Sequence, residues 1–258
     1  MPAASAPDPS ASESASAANR PGLRAAVVLL AAGEGRRVGA DTNKVLLPLA
    51  GLPVFAWSLR AVAAIEYVDQ LVVVVRPADR DGITATITEH FTEQLGGQLV
   101  DRQLHVVDGG STRHGSEWNA LQAIAADIDA GRTDVVAIHD AARPLADPDL
   151  FHEVIATANE HGGALPVRER RHLITAAPGV RRAERMVGVQ TPQAFRARPL
   201  LDAYRKADRD GFVGTDTASC VEEYTDLAIH CVPSPATNLK ITFPEDVTLA
   251  ERLLHKEI

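Results

Sequence analysis

The most restrictive feature of the chain is a continuous apolar segment, residues 24–32 (RAAVVLLAA), which stops at Gly33. An uninterrupted apolar run of this length is typical of a strand that is covered on both faces, as the strands of a parallel sheet are. Further apolar runs, each ending at a polar, Gly or Pro residue, occupy 70–75, 104–107, 134–138 and 228–232. The sequence therefore predicts a buried sheet whose strands are mostly parallel.

Segments with helical periodicity separate these runs, and they occupy residues 53–65, 79–95, 111–128, 148–161 and 244–256. Alternation of strands and helices favours the α/β class, here a Rossmann-like, doubly wound, mostly parallel sheet. Ligands of such sheets bind beyond the carboxyl ends of the strands. We therefore look for functional residues directly after the apolar runs.

The ends of the chain and one internal stretch depart from this pattern. Residues 1–23 are rich in Ala, Ser and Pro and predict a disordered tail, whereas the length of 24–258 suits a single domain. Residues 163–189 follow neither period and carry six arginines after Val167. We expect this stretch to leave the core as a protruding arm.

Composition excludes several classes of function. A net charge of −8 with 45% hydrophobic residues predicts a soluble acidic protein that does not bind nucleic acid. The sequence contains no run of about 18 consecutive apolar residues, so no membrane span is predicted. The tail lacks the charged start and apolar block of a secretory signal, so a cytoplasmic location is expected. Cys220 and Cys231 lack metal-ligand spacing.

A glycine-rich turn follows the first predicted strand. Gly33 and Gly35 allow a tight turn whose N–H groups can approach a phosphate, because no Cβ blocks the way. Positive charge follows in Arg36, Arg37 and Lys44. Two glycines alone are equally typical of a structural turn, but the added cations favour a triphosphate site.

Four ordered motifs carry a family resemblance, and they occupy residues 31–51, 106–121, 139–144 and 190–195, with a further pair at 214–224 and 238–246. Val38 stands where a dinucleotide-binding fingerprint has its third glycine, which disfavours a Rossmann oxidoreductase. Over residues 24–258 the chain resembles the sugar-phosphate nucleotidyltransferases, and within them the cytidylyltransferases of the methylerythritol phosphate and ribitol phosphate type.

The resemblance implies a reaction in which a phosphate oxygen of the acceptor attacks the α-phosphorus of CTP and pyrophosphate leaves. Such catalysis consists mostly of alignment and charge neutralisation. It implies catalytic roles for Arg37 and Lys44 on the triphosphate, and for Asp140, which ends an apolar run and would hold Mg²⁺ directly or through water. The alternative for Asp140 is to cap the turn that follows it.

The resemblance also assigns binding residues for both substrates. Those expected at the nucleotide are Ala31, Ala32, Gly33, Gly35, Arg36, Gly109, Gly110 and Ser116, with the glycine pair reading cytosine; Ser116 is alternatively a helix-surface hydroxyl. Those expected at the acceptor are Arg143, Thr191, Thr215, Lys240 and Arg185. Asp216 suits either acceptor binding or helix capping.

For Lys240 and His139 the local sequence itself predicts a role. Lys240 lies in the apolar segment NLKITF, where an unpaired buried ammonium would be costly, so we expect it to face an anion, namely the acceptor phosphate. His139 precedes Asp140 and is expected to be packed rather than to act as a base, because the acceptor phosphate is already a nucleophile.

The chain departs from the family pattern at a few positions. Asn43 stands where relatives have Pro before the lysine, and Arg170 and His172 replace a Thr and a Lys of the arm. By resemblance the arm crosses to a partner subunit, which predicts a homodimer with Arg181, Arg182 or Arg185 acting in trans; a solvated charged loop is the alternative.

The sequence thus predicts transfer of CMP from CTP to 2-C-methyl-D-erythritol 4-phosphate in isoprenoid precursor synthesis. Two alternatives stay open at this point. One is a cytidylyltransferase for ribitol 5-phosphate or another polyol phosphate, which the altered arm favours. The other is a nucleotide-binding regulatory protein without turnover.

Overall fold

The computed structural model of the chain describes residues 22–33, 43–89, 102–170 and 186–255. Its strands are β1 (Ala25–Leu30), β2 (Pro48–Leu49), β3 (Leu52–Pro53), β4 (Val68–Val75), β5 (Gln103–Asp108), β6 (Val135–Asp140), β7 (Gly162–Glu169), β8 (Val187–Val189), β9 (Gln193–Arg196) and β10 (Ala228–Pro233). Its α-helices are α1 (Val54–Ala63), α2 (Arg80–Ile87), α3 (Arg113–Ala123), α4 (Ala125–Asp129), α5 (Pro148–His161), α6 (Ala197–Asp210), α7 (Thr217–Tyr224) and α8 (Pro244–Leu254).

An eight-stranded sheet forms the centre of the described fold, in the order β10-β7-β9-β6-β1-β4-β5, with β8 paired to β7. Strands β5, β4, β1 and β6 run parallel, and β9 runs antiparallel between β6 and β7. The mostly parallel α/β fold predicted from the sequence is therefore confirmed.

Strand β1 shows why the apolar runs are continuous. Its residues alternate between two cores: Ala25, Val27 and Leu29 pack in a cluster with α1 and α5, whereas Ala26 and Val28 pack in one with α3 and α6. All five side chains are almost completely buried. A strand between two helical layers has no solvent face, so polar residues have no place on it.

The helices begin and end where capping residues stand. Asp147 accepts a hydrogen bond from the Leu150 amide at the start of α5, and Gly211 ends α6 in a left-handed conformation with φ 68°. The single helix predicted over 111–128 is wrong, because the backbone at Ile124 (φ −112°, ψ 7°) separates α3 from α4.

The arm boundary predicted at residue 163 is also wrong. Gly162–Glu169 forms β7, which pairs with β10 and β9 in the main sheet, and its first five residues are buried. Gly163 lets this strand lie against Phe195, since a Cβ there would be 2.7 Å from the Phe195 ring. The segment expected to form the arm therefore starts inside the core, and residues 171–185 lie outside the described ranges.

Among the described residues, none of the helices combines the length and apolar character that a membrane crossing requires. The longest of them, α5 and α6, have 14 residues each.

Candidate active site

The carboxyl ends of four parallel strands meet at one edge of the sheet. Strand β1 has β4 on one side and β6 on the other, so the strand order reverses between β1 and β6, the place where doubly wound sheets bind ligands. In the register Leu30 pairs with Asp140, and Val75 pairs with Asp108. The described residues that directly follow β1, β5 and β6 therefore lie next to one another.

A cavity of about 600 Å³ opens at this edge. Eight residues predicted from the sequence line it: Ala32, Gly33, Lys44, Gly109, Gly110, Ser116, Asp140 and Lys240. Its volume is in the range of small-molecule sites. Four further predicted residues, Gly35, Arg36, Arg37 and Arg185, lie outside the described ranges.

The wall after β5 is a tight turn that requires glycine. A Cβ at Gly109 would be 2.5 Å from the Ala32 Cβ, and one at Gly110 would be 2.7 Å from the Gly115 carbonyl carbon. Ser116 Oγ accepts a hydrogen bond from the Gly110 amide at 3.1 Å and donates to the Thr112 carbonyl at 2.9 Å. The Ser116 side chain is buried and fixes the turn, so it is not a helix-surface hydroxyl.

Asn43 fixes the opposite wall and is completely buried. Its amide nitrogen donates to the Ala31 carbonyl and to Asp79 Oδ2, both at 2.8 Å, while Asp79 also accepts from Arg76 at 2.6 Å. Ala31 is thereby a buried residue behind the cavity wall. Asn43, the residue that departs from the family pattern, directly precedes Lys44. Its side chain joins the end of β1 to the segment after β4.

Asp140 is the electrostatic centre of the cavity. Its Oδ1 accepts a hydrogen bond from Arg113 at 3.1 Å, and its Oδ2 accepts one from Lys240 at 2.6 Å. Burial alone would raise the pKa of this carboxyl, but Arg113, Lys240 and Arg143 together hold it well below its ordinary value. Asp140 is therefore a carboxylate in a cationic setting.

Lys240 faces an anion, as the sequence argument required, but for a different reason. Its side chain is 41% exposed rather than buried, and the anion it contacts in this structure is Asp140. An exposed ammonium on a short pair is able to exchange one anion for another at little cost.

Thr191, His139 and Arg143 form a buried layer beneath Asp140. Thr191 Oγ1 accepts from the Asp140 amide at 3.0 Å and lies 3.2 Å from His139 Nδ1, to which it donates when the neutral ring carries its proton on Nε2. His139 Nε2 then donates to the Arg143 carbonyl at 3.2 Å. Burial lowers the pKa of His139 to about 4, and the ring packs on Phe151, so the packed role expected for it is confirmed.

Three described residues predicted at the acceptor, Arg143, Thr191 and Thr215, do not line the cavity. The Arg143 guanidinium donates to the Asn238 carbonyl at 2.8 Å, and its buried Nε has no hydrogen-bond partner within the described part of the chain. Thr215 is exposed on the loop before α7, and its amide donates to Ser219 Oγ at 3.0 Å. Asp216 caps α7 by accepting from the Ser219 amide, as one of its two predicted roles required.

Sequence reasoning missed Arg113, which lines the cavity and bridges two carboxylates. Arg113 Nη1 donates to Glu117 Oε1 at 2.7 Å, and Arg113 Nη2 donates to Asp140. Two signals stood in the sequence: Thr112 is a helix N-cap, and Arg113 and Glu117 have the four-residue spacing of a helical ion pair. Neither signal shows that Asp140 completes the arrangement, because that contact depends on the sheet.

The donor set fits a magnesium ion that arrives with a triphosphate. Mg²⁺ is commonly held by one or two carboxylates together with substrate phosphates, and Asp140 supplies a carboxylate at the cavity edge. Across the four described ranges, no three His, Cys, Asp or Glu side chains converge as a metal cage. Asp140 would hold the ion.

Comparison with known proteins identifies the family. A family model described as 2-C-methyl-D-erythritol 4-phosphate cytidylyltransferase matches residues 25–256. The protein of that name from Solibacter usitatus is 35% identical over 253 residues, covering 91% of this chain and 97% of its own length. The one from Thermosynechococcus vestitus is 37% identical over 237 residues, covering 88% and 94%.

Solved structures agree with this fold. The 4-diphosphocytidyl-2C-methyl-D-erythritol synthase from Anaerococcus prevotii superposes with a TM-score of 0.73 at 22% identity, over 90% of this chain and 99% of that chain. The 2-C-methyl-D-erythritol 4-phosphate cytidylyltransferase from Thermus thermophilus gives 0.63 at 26%, over 88% and 98%. The resemblance found in the motifs is confirmed, and the chain belongs to the 2-C-methyl-D-erythritol 4-phosphate cytidylyltransferase family.

Proposed function

We propose that this chain transfers CMP from CTP to 2-C-methyl-D-erythritol 4-phosphate and releases pyrophosphate. A phosphate oxygen of the acceptor forms a bond to the α-phosphorus of CTP, and the bond to the bridging oxygen of pyrophosphate breaks. The observation that carries this proposal is the convergence of Lys44, Arg113 and Lys240 with Asp140 on one cavity at the switch point of the sheet. Two anions are able to meet there without mutual repulsion.

The cations divide between the two substrates in this proposal. Lys44, beside the turn after β1, neutralises the triphosphate and the leaving pyrophosphate, together with Arg37, whose role rests on the resemblance. Lys240 leaves Asp140 and binds the acceptor phosphate. No general base is required, because the attacking oxygen is already anionic.

The turn after β5 supports the choice of cytosine. Its two glycines pack against Ala32 and Gly115 with no room for a side chain, so backbone groups form the wall. A wall of backbone atoms reads the edge of a pyrimidine at close range, and a larger purine fits poorly against it. Asp140 would hold Mg²⁺, which would supply neutralisation of charge on the triphosphate.

The assembly expected from the sequence is part of the proposal. Met186, Val187 and Val189 are 42%, 37% and 45% exposed at the end of the arm segment. Burial of these apolar side chains against a second copy would support a homodimer with Arg185 in trans. The cytoplasmic location stays a prediction.

Pyrophosphate release tests the proposal. The purified chain is incubated with CTP and Mg²⁺, with methylerythritol 4-phosphate and ribitol 5-phosphate offered in separate reactions, and ATP, UTP and GTP replace CTP in controls. We expect release with CTP and methylerythritol 4-phosphate. Pyrophosphate release with ribitol 5-phosphate alone would show that ribitol 5-phosphate is the acceptor. CTP binding without pyrophosphate release under any condition would favour the regulatory alternative.

A further inference from the structure

A carboxylate without a role in the proposed reaction is buried directly behind the cavity. Glu117 has no exposed surface and lies on the buried face of α3 with His114, Ala120 and Leu121. It accepts three hydrogen bonds: from Arg113 at 2.7 Å, and from two hydroxyls, those of Tyr204 at 2.5 Å and Thr217 at 2.8 Å. A position on the inner face of a helix ordinarily holds an apolar residue.

Packing does not explain an acidic residue here. Burying a carboxylate costs about as much free energy as its hydrogen-bond and ion-pair partners return. Well-packed apolar replacements of buried ion pairs are often as stable or more stable. Burial raises the pKa of Glu117, and Arg113 and the two hydroxyls oppose this. Glu117 is therefore unfavourable to bury, and the residue whose position it fixes is Arg113.

The Arg113 guanidinium forms ion pairs with two carboxylates on opposite sides. Glu117 holds one guanidinium nitrogen inside the protein, and Asp140 holds the other at the cavity. The second partner of Asp140, Lys240, is 41% exposed, whereas the Glu117 carboxylate is completely buried. When Lys240 binds the acceptor, Arg113 is the described cation that still contacts Asp140 Oδ1, and its position then depends on Glu117.

We propose that Glu117 is a positioning residue: with Tyr204 and Thr217 behind it, it fixes the Arg113 guanidinium so that Asp140 keeps a single orientation at the cavity. This inference rests on the proposed cytidylyl transfer for its catalytic consequence. The two hydroxyls come from α6 and α7, so three helices are joined at one carboxylate beneath the reacting groups. Arg113 itself touches the cavity, whereas Glu117 acts only through it.

Replacement of Glu117 by glutamine is the first test. Glu117→Gln keeps the shape and removes the charge that holds Arg113. Asp127→Asn is the matched control, because Asp127 is also a carboxylate that accepts from an arginine, Arg132 at 2.6 Å, and does not line the cavity. We expect kcat to fall about 100-fold in Glu117→Gln, the loss that a misplacement of ~1 Å produces, with the KM for CTP within about twofold.

Two further variants leave Glu117 and Arg113 unchanged. Tyr204→Phe and Thr217→Val each remove one donor to Glu117 and preserve the size of the side chain. We expect each to lower kcat severalfold with the CTP KM retained. Unchanged kcat in all three variants, or a fall in kcat that merely follows the melting temperature as in Asp127→Asn, would overturn the proposal; if Glu117→Gln does not fold, these two variants decide.

A measurement without turnover separates this inference from the proposed function. With ¹⁵N-arginine labelling, the guanidinium resonances of Arg113, identified by their loss in Arg113→Lys, are expected to show slow rotation in the natural chain and fast rotation in Glu117→Gln. Slow rotation in both would overturn the positioning role. If the natural chain transfers no CMP, the proposed function fails, while this comparison still decides whether Glu117 fixes Arg113.

Discussion

Lys240 Nζ lies 2.6 Å from Asp140 Oδ2, and the two residues are 100 positions apart in the sequence. The pair joins the segment before α8 to the carboxyl end of β6, at the cavity. Because the lysine is exposed and the aspartate is nearly buried, the lysine is the partner able to move to a second anion.

Replacement of Lys240 tests this exchange. We expect Lys240→Ala to raise the KM for methylerythritol 4-phosphate about tenfold or more, a loss of ~1.4 kcal/mol or more in binding, while the KM for CTP changes much less. Steady-state kinetics with each substrate varied in turn measure both constants. An equal rise in the two would remove the acceptor-binding role.

Replacement of Lys44 tests the neutralisation of the triphosphate. We expect Lys44→Ala to lower kcat by about two to three orders of magnitude, the size of loss seen when one preorganised charge-stabilising group is removed. The exposed Lys206, whose ammonium donates to the Tyr224 carbonyl on the far helices, provides the control as Lys206→Ala. Full turnover in Lys44→Ala, with circular dichroism unchanged, would contradict the catalytic assignment.

The glycine turn after β5 predicts a steric effect. Gly110→Ala places a Cβ 2.7 Å from the backbone of Gly115, so the turn must open and the affinity for CTP must fall. Gly82→Ala is the control, because a Cβ at that site in α2 has no described neighbour within 4 Å, and the variant is expected to gain about 0.5–1 kcal/mol of stability. Calorimetric titration with CTP and thermal melting compare the two; equal CTP affinity in both variants would show that the turn does not form the nucleotide wall.

Asp79 predicts a pH dependence of stability. Hydrogen bonding from Arg76, opposed by burial and aided by Asn43, lowers the pKa of Asp79 from 3.8. The folded state therefore binds fewer protons than the unfolded chain, so this contribution is present above the unfolded pKa and is lost as pH falls through the lower folded value. Asp79→Asn should cost about 1–3 kcal/mol of unfolding free energy at pH 7.

Urea unfolding of both proteins from pH 7 down to pH 3 measures this difference. The gap between the natural chain and Asp79→Asn should narrow as the pH falls. Asp81→Asn, an exposed carboxylate in the first turn of α2, serves as the control and should show little gap at any pH. A gap that stays constant across the range would show that the ionised carboxylate is not what stabilises this wall.

The two cysteines should differ in reactivity. Burial raises the pKa of the Cys220 thiol to about 12, whereas Cys231 is exposed on β10. Because the thiolate is the reactive form, a disulfide reagent at pH 8 should label one thiol in the folded protein and both in denaturant. Cys231→Ser should abolish the fast reaction; labelling of Cys220 at the same rate would contradict the burial of α7.

The sequence alone was sufficient for the fold class, because burial on both faces of a parallel strand favours unbroken apolar runs, which occupy residues 25–30 of β1, 71–75 of β4 and 135–138 of β6. It was also sufficient to place Asp140 at the cavity, since this residue ends an apolar run and the carboxyl ends of parallel strands share one edge, whereas Gly109 was assigned by the family resemblance. It was not sufficient for β7 and β9, whose mixed composition gave no clear period.

Only the tertiary structure decided which charges meet. In the sequence Asn43 is only a departure from the family pattern, whereas in the structure its side-chain amide joins Ala31 to Asp79. Arg113 and Glu117 lie in the motif at residues 106–121, but the sequence predicted no role for them because their partners are distant. Asp140 is 27 residues from Arg113, and Tyr204 and Thr217 are 87 and 100 residues from Glu117. Local patterns encode burial and turns along the chain, whereas a buried charge acquires its partner only when distant segments pack together.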